Sequence, residues 1–419
     1  MIVTRQIPAA EWMDAADARA LFEALEGRGA DVRFVGGCVR DAVLGRPATD
    51  IDLATDALPE RVMEIFRGRG IRVVPTGVDH GTVTAIPGAR PFQVTTLRRD
   101  VETDGRRAVV HFTTDWAEDA ARRDFTMNAL SATRDGVVYD YVDGLADLEA
   151  GRVRFIGRAA DRIGEDHLRI LRFFRFYAHY ATAPPDGAAL DACRAAAGRL
   201  DGLSGERIWH ELSRTLTAPA PGPVFRLMKD TGVLRAVFPA EPHIERLEAL
   251  AALEAMTRMS PDPVRRLAAL ATFTRREASG IAARLRLSRA EAGKLDRLNT
   301  ERGQTGPAME DRALRRALHR VGAADVGEMI LLDWADGIVD DPGQATLSAR
   351  GWKRILDAVR DFTPSVLPIS GEDVMACGVS AGPDVGRYLD AVEEWWIDRA
   401  FAPDRNACLD RLRQVVRRG

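Results

Sequence analysis

Hydrophobic periodicity changes once along this chain, near residue 148, and that change limits the fold more than any other feature. Before it, short β-branched runs (TDIDLAT at 49–55, IRVV at 71–74, TVTAI at 82–86, FQVTTL at 92–97, GVVYDYV at 136–142) alternate with helical stretches and carry glycine and proline punctuation. That is the pattern of a domain mixing strands and helices, α/β or α+β. After it the spacing is helical almost throughout. A chain of 419 residues exceeds one ordinary domain of about 100–200 residues, and we expect divisions at 1–148, 149–240 and 241–419.

The chain is 46% hydrophobic and 29% charged, which fits globular domains and excludes fibrous or disordered ones. Four cysteines without CxxC spacing (Cys38, Cys193, Cys377, Cys408) indicate neither a zinc ribbon nor a disulfide framework. No stretch approaches the roughly 18 apolar residues of a membrane span, so a soluble, cytoplasmic protein is expected. The net charge of −3 argues against a general DNA-coating protein but permits a local basic patch.

Phe34-Val35-Gly36-Gly37-Cys38-Val39-Arg40-Asp41 reads as a strand, two glycines and a helix start, where unpaired N–H groups can meet an anion. No GK[ST] follows, so it is not a P-loop, and alone it is equally a tight turn. Asp50-Ile51-Asp52 follows closely. On a strand, i and i+2 share a face, so this spacing predicts paired carboxylates with Ile51 packed behind. Two like charges that close need a cation between them. Magnesium (Mg2+) suits such hard oxygen ligands, leaving the rest of its shell to phosphate and water.

Glu165 to Phe176 (EDHLRILRFFRF) predicts one continuous helix, and Asp166 and Arg169, three apart, form a paired edge on it. Cytosine and adenine both place an amino donor beside a ring-nitrogen acceptor, so the aspartate can accept from one while the arginine donates to the other. Uracil and guanine present the reverse order and would leave both side chains unsatisfied. An ordinary surface ion pair is the competing reading. On a straight helix all four of Asp166, Arg169, Arg172 and Arg175 cannot face one ligand, so Arg172 and Arg175 are expected to reach phosphate or RNA.

GGCVRDAVLGRPATDIDLAT resembles the signature of the class II tRNA nucleotidyltransferases and bacterial poly(A) polymerases, in the polymerase-β-like superfamily. Arg122 to Ala129 (RRDFTMNA) resembles a second element of that family and EDxLRxLRxxRF a third. The resemblance is firm from about Val35 to Leu212. It implies an α+β nucleotidyltransferase head (1–148), a helical neck bearing a base-reading helix (149–240) and a helical, tRNA-binding body and tail (241–419). It further implies Asp50 and Asp52 as catalytic, metal-binding carboxylates. Gly36, Gly37 and Arg40 would bind nucleotide, with Gly37 and Arg40 on its triphosphate. Arg123 and Asp124, with Asn128 nearby, would bind at the ribose, and Asp166, Arg169, Arg172 and Arg175 would bind CTP and ATP.

The same resemblance places Asp140, Gly144 and Asp147 at the head–neck hinge, Asp104 to Arg107 in a mobile loop, and Ser204 to Leu212 in a supporting helix that Ser204 caps. One departure is Gln93, where the family's FEVTTxR stretch carries glutamate. The implied activity is addition of C and A to the tRNA 3′ end. Poly(A) polymerase, an A-only or CC-only enzyme, and a non-catalytic RNA-binding protein are the rivals. No His-Asp dipeptide occurs, so no second phosphohydrolase activity is expected. Residues 281–320 hold ten basic against five acidic residues, a phosphate-contact patch or a solvated helix face.

Overall fold

The structure, a computed structural model, describes residues 2–418 except 9, 49, 104–107, 238–240 and 272, and only the backbone of 100–103 and 108–110. Thr49 and the expected mobile loop, Asp104 to Arg107, therefore lie outside the described residues. The chain divides into two compact units, Met1–Pro239 and Ala240–Gly419.

The first unit is built on a sheet whose strands lie in the order β1 (Val3–Gln6), β10 (Val137–Asp140), β9 (Ser131–Ala132), β2 (Val32–Val35), β3 (Asp52–Thr55), β6 (Phe92–Thr96), β5 (Thr82–Ile86) and β4 (Arg72–Gly77). β3 and β6 are parallel and the other neighbours antiparallel. β7 (Arg98–Thr103) and β8 (Ala108–Phe112) form a separate two-stranded ladder. The period of two sorts the side chains. Leu21, Phe22 and Leu25 of helix α1 (Ala16–Glu26) are buried on the sheet, where Phe22 meets Phe34 at 4.7 Å between ring centroids. Val35 and Ala54 pack instead with Leu97 and Trp116.

Helix α2 (Gly37–Val43) leaves β2 through Gly36, whose φ of 75° and ψ of −127° suit glycine alone. Beyond the sheet come α3 (Pro59–Gly68), α4 (Trp116–Ala121), α5 (Gly144–Glu149), α6 (Ala159–Glu165), α7 (Leu168–Tyr180), α8 (Gly187–Ala196) and α9 (Gly205–Leu216). A cluster of phenylalanines docks α7 on the sheet domain: Phe125 lies 4.6 Å from Phe155 and 5.2 Å from Phe176, and Phe155 stacks on Phe173 at 5.7 Å. Each buried ring contributes roughly 1.5–3 kcal/mol of transfer free energy.

The turn at 140–147 is held by buried carboxylates. Asp140 accepts from the N–H groups of Val142, Gly144 and Leu145, and Asp147 accepts from the Thr126 hydroxyl (2.7 Å) and Arg154 (2.8 Å). A Cβ on Gly144 would come within 2.3 Å of the Thr126 carbonyl oxygen, so glycine is required there.

The second unit is helical. Its interior holds an ion triad in which Glu254 accepts from Arg265 (2.8 Å) and Arg266 (2.7 Å), all three buried. The basic excess of 281–320 is largely spent inside this unit: Lys294 pairs with Glu328 and Asp262, Arg297 with Asp325, Arg302 with Asp336, Arg312 and Arg316 with Asp398, and Arg320 with Glu394. At least six of these ten basic residues thus have carboxylate partners among the described residues. Among the described residues no helix is long and apolar enough to cross a membrane.

Candidate active site

The twelve residues expected from the sequence to bind nucleotide or metal all line one cavity of about 710 Å3 in the first unit. Asp52 opens β3, while Asp50 lies two residues before the strand, in a bend. The pair is therefore a turn-to-strand junction and not the two-residue strand repeat the spacing predicts, although Ile51 is buried behind it as expected. Burial first, then the charge of Asp50, pushes the Asp52 carboxyl above the usual carboxylate range, and Arg123 only partly opposes this. Gln93 stands in register with Asp52 on parallel β6. Among the described residues no group of three or more His, Cys, Asp or Glu side chains forms a metal cluster.

A chain of hydrogen bonds runs from α2 to α7. Arg40 donates to Asn128 Oδ1 (2.7 Å), Asn128 donates to Asp124 Oδ1 (3.2 Å), and Arg172 donates to Asp124 Oδ2 (2.6 Å). Burial pushes the Asp124 carboxyl up, but Arg172 and Asn128 outweigh it and hold the group ionised below its ordinary range. Arg40 also donates to the Tyr180 hydroxyl (2.6 Å) and to Asp41 (3.0 Å). Arg123 is bound to Asp119 (3.1 Å), which it shares with Arg122. Burial would raise the Asp119 carboxyl, but the two arginines reverse that and lower it.

Two expectations for the 165–176 segment need correction. The helix is interrupted: α6 ends at Glu165, Asp166 is extended (φ −152°, ψ 110°), and α7 starts at Leu168. Freed from the helix, Asp166 lines the same cavity as all three arginines. Arg169, Arg172 and Arg175 then span only about 120° of α7, so all four groups do face one space. Arg172 and Arg175, expected to reach phosphate or RNA, each already have a carboxylate partner. Arg172 is held by Asp124, and Arg175 pairs with Glu211 at 2.6 Å.

Asp166 and Arg169 do not bond each other. Asp166 accepts from Arg207 (2.7 Å) and from the Leu168 N–H (3.0 Å), while Arg169 donates to the Arg162 carbonyl (3.0 Å) and pairs with Glu165. The pair is thus presented by separate supports.

The sequence reading missed Asp41, Arg122, Tyr180, Arg207 and Arg214, all in the cavity lining. Three residues of α9 carried a usable signal: Arg207, Glu211 and Arg214 recur at i, i+4 and i+7, one helix face. The helix was assigned to support alone, yet it supplies cavity side chains. Ser204 precedes it but makes no side-chain capping bond.

This arrangement has known counterparts. Residues 32–154 match the family model described as the poly A polymerase head domain, and 186–244 match the probable RNA and SrmB-binding site of polymerase A. The chain is 35% identical over 396 residues to the mitochondrial CCA tRNA nucleotidyltransferase 1 of Danio rerio, covering 92% of this chain and 87% of that one. It is 30% identical over 393 residues to the CCA-adding enzyme of Levilactobacillus brevis, covering 90% and 92%. The fold superposes on the Bacillus stearothermophilus CCA-adding enzyme in complex with CTP with a TM-score of 0.70 at 25% identity, covering 96% and 97%. With a nucleotidyltransferase head, a helical remainder and near full-length relatives of one kind, the chain belongs to the class II CCA-adding enzymes, a family of nucleotidyltransferases.

Proposed function

We propose that this chain adds C and A to the 3′ end of tRNA, using CTP and ATP and releasing pyrophosphate. The observation that carries this reading is that one cavity is lined both by the Asp50–Asp52 pair and by Asp166 with Arg169. A site that joins a carboxylate pair to a donor–acceptor edge for C and A can select a base and transfer its nucleotide without a nucleic-acid template. We assign the head to 1–148, the neck to 149–240, and the tRNA-binding body and tail to 241–419.

The carboxylate pair fits Mg2+. Burial and the nearby charge of Asp50 make ionised Asp52 costly without a cation, and Mg2+ takes one or two carboxylates beside substrate phosphates. Two such ions held by Asp50 and Asp52 would supply two-metal-ion catalysis, activating the attacking 3′-hydroxyl and neutralising charge that builds on the leaving pyrophosphate. The rest falls to the chain. Gly36 and Gly37 leave room for the phosphates, and Arg40, braced by Asn128 and Asp41, presents a fixed cation. Asp124 and Arg123, each already ion-paired, set the ribose position. The base meets Asp166 and Arg169 already oriented, so its reorganisation cost is small. The four cysteines are free thiols, which supports a reducing compartment such as the cytoplasm.

Nucleotide incorporation into tRNA transcripts ending before CCA, after C and after CC tests the reading. Two C and one A, then arrest, supports it. Unlimited A addition would instead make the chain a poly(A) polymerase.

A further inference from the structure

Eight arginines line the cavity, and seven are committed to carboxylates: Arg40 to Asp41, Arg122 and Arg123 to Asp119, Arg169 to Glu165, Arg172 to Asp124, Arg175 to Glu211, and Arg207 to Asp166. The eighth, Arg214, makes no ion pair among the described residues. The acid nearest in sequence on α9, Glu211, is spent on Arg175 and Arg172. Arg214 is exposed at the cavity wall, so a ligand can reach it without the chain opening.

Its position is nevertheless fixed. The Arg214 carbonyl meets His179 Nε2 at 2.8 Å, pinning the last turn of α9 to α7, and the His179 carbonyl accepts from Arg46 at 3.0 Å. The charge of Arg214 is felt by its neighbours. After burial, it is the next influence holding His210 below the ordinary imidazole range, and with burial, Arg172 and Arg214 hold Arg175 down. A cation that its own protein leaves uncompensated, beside two other arginines, is relieved by an anion.

We propose that Arg214 is a phosphate-binding residue of this cavity, contacting either the triphosphate of the incoming nucleotide or the backbone of the RNA strand. The proposal rests on the nucleotidyl-transfer reading for its ligand, and the phosphate is the chemistry both sources share. An exposed guanidinium on a pinned helix end can reach either of them, and Arg214 itself has no carboxylate among the described residues to give up.

The test uses the full chain and its Arg214→Gln, Arg214→Glu and Arg214→Lys variants, with melting curves to verify folding. Tripolyphosphate binding is measured by calorimetry, and a single-stranded RNA ending in CC by anisotropy across a salt series. For a triphosphate contact, Arg214→Gln weakens tripolyphosphate and raises the KM for CTP and ATP by about tenfold. For an RNA contact, it weakens RNA binding and flattens the log–log salt slope by about 0.7. In either arm Arg214→Glu is worse and Arg214→Lys restores most of the loss. Unchanged binding of both probes by the Gln and Glu variants would overturn the proposal. If the wild-type chain incorporates no nucleotide while Arg214→Gln still loses tripolyphosphate affinity, the transfer reading fails and the phosphate site stands.

Discussion

Arg207 donates to Oδ2 of Asp166 at 2.7 Å while the Leu168 N–H holds Oδ1 at 3.0 Å. The carboxylate proposed to accept the base's amino group is therefore oriented from two sides before a base arrives. In this account Arg207 acts through Asp166, as a positioning residue. Replacing it with methionine frees one oxygen of Asp166, and discrimination falls because the rejected bases no longer meet a fixed acceptor. We expect the ratio of kcat/KM for CTP over UTP to drop about tenfold in Arg207→Met, with partial recovery in Arg207→Lys. An unchanged ratio would remove Arg207 from base selection.

Asp52 illustrates a stability cost held at the site. Its folded-state pKa is raised, by burial and then by Asp50, so its contribution to folding is fully present below the unfolded value of about 3.9 and is lost as pH rises through the folded one. At pH 7 the ionised group is a liability. In chelator, Asp52→Asn should melt higher than wild type at pH 7, with the difference shrinking as pH falls toward 4, and should lose activity. A lower melting temperature at pH 7 would contradict this account.

Asp124 runs in the opposite direction. Its pKa is lowered against burial by Arg172 and Asn128, so the stability it supplies is present above about pH 3.9 and is lost as pH falls through the depressed folded value. Asp124→Asn takes away the nearer of Arg172's two carboxylates and leaves Glu211 at 3.8 Å. A fully buried broken pair costs 3–5 kcal/mol, but Arg172 is 33% exposed, so we expect about 2 kcal/mol in urea unfolding. The variant's stability should also depend less on pH below 4.

Glu254 sits between Arg265 and Arg266, with side chains no more than 2% exposed. Glu254→Gln keeps the shape and removes the negative charge that the two buried guanidinium groups share. The expected loss is about 3 kcal/mol, seen as earlier unfolding of the helical second unit by hydrogen exchange. Wild-type protection around Glu254 would show the triad to be dispensable.

The strands and the glycine turn were legible because each follows from residues a few positions apart, whereas the Asp50–Asp52 spacing suggests a strand repeat where the chain makes a turn-to-strand junction. The break at Asp166 was not legible, since its neighbours continue a helical pattern and Arg207, one of the two groups that hold its carboxylate, lies 41 residues away. The same distance effect misled the reading of charge. Arg312 and Arg316 look like an open basic face until Asp398, more than 80 residues on, closes over them. Arg172 looks free until Asp124 reaches it from 48 residues back. Composition counts charges, whereas only the fold decides which of them are already spent.

The most direct measurement is incorporation of single nucleotides into a tRNA transcript lacking its 3′ CCA, comparing wild type with Asp52→Ala in Mg2+. The account predicts that CTP with ATP yields two C and then one A with arrest, that UTP and GTP are not incorporated, and that Asp52→Ala is inactive. Incorporation of U or G at rates comparable to C, or activity retained in Asp52→Ala, would contradict it.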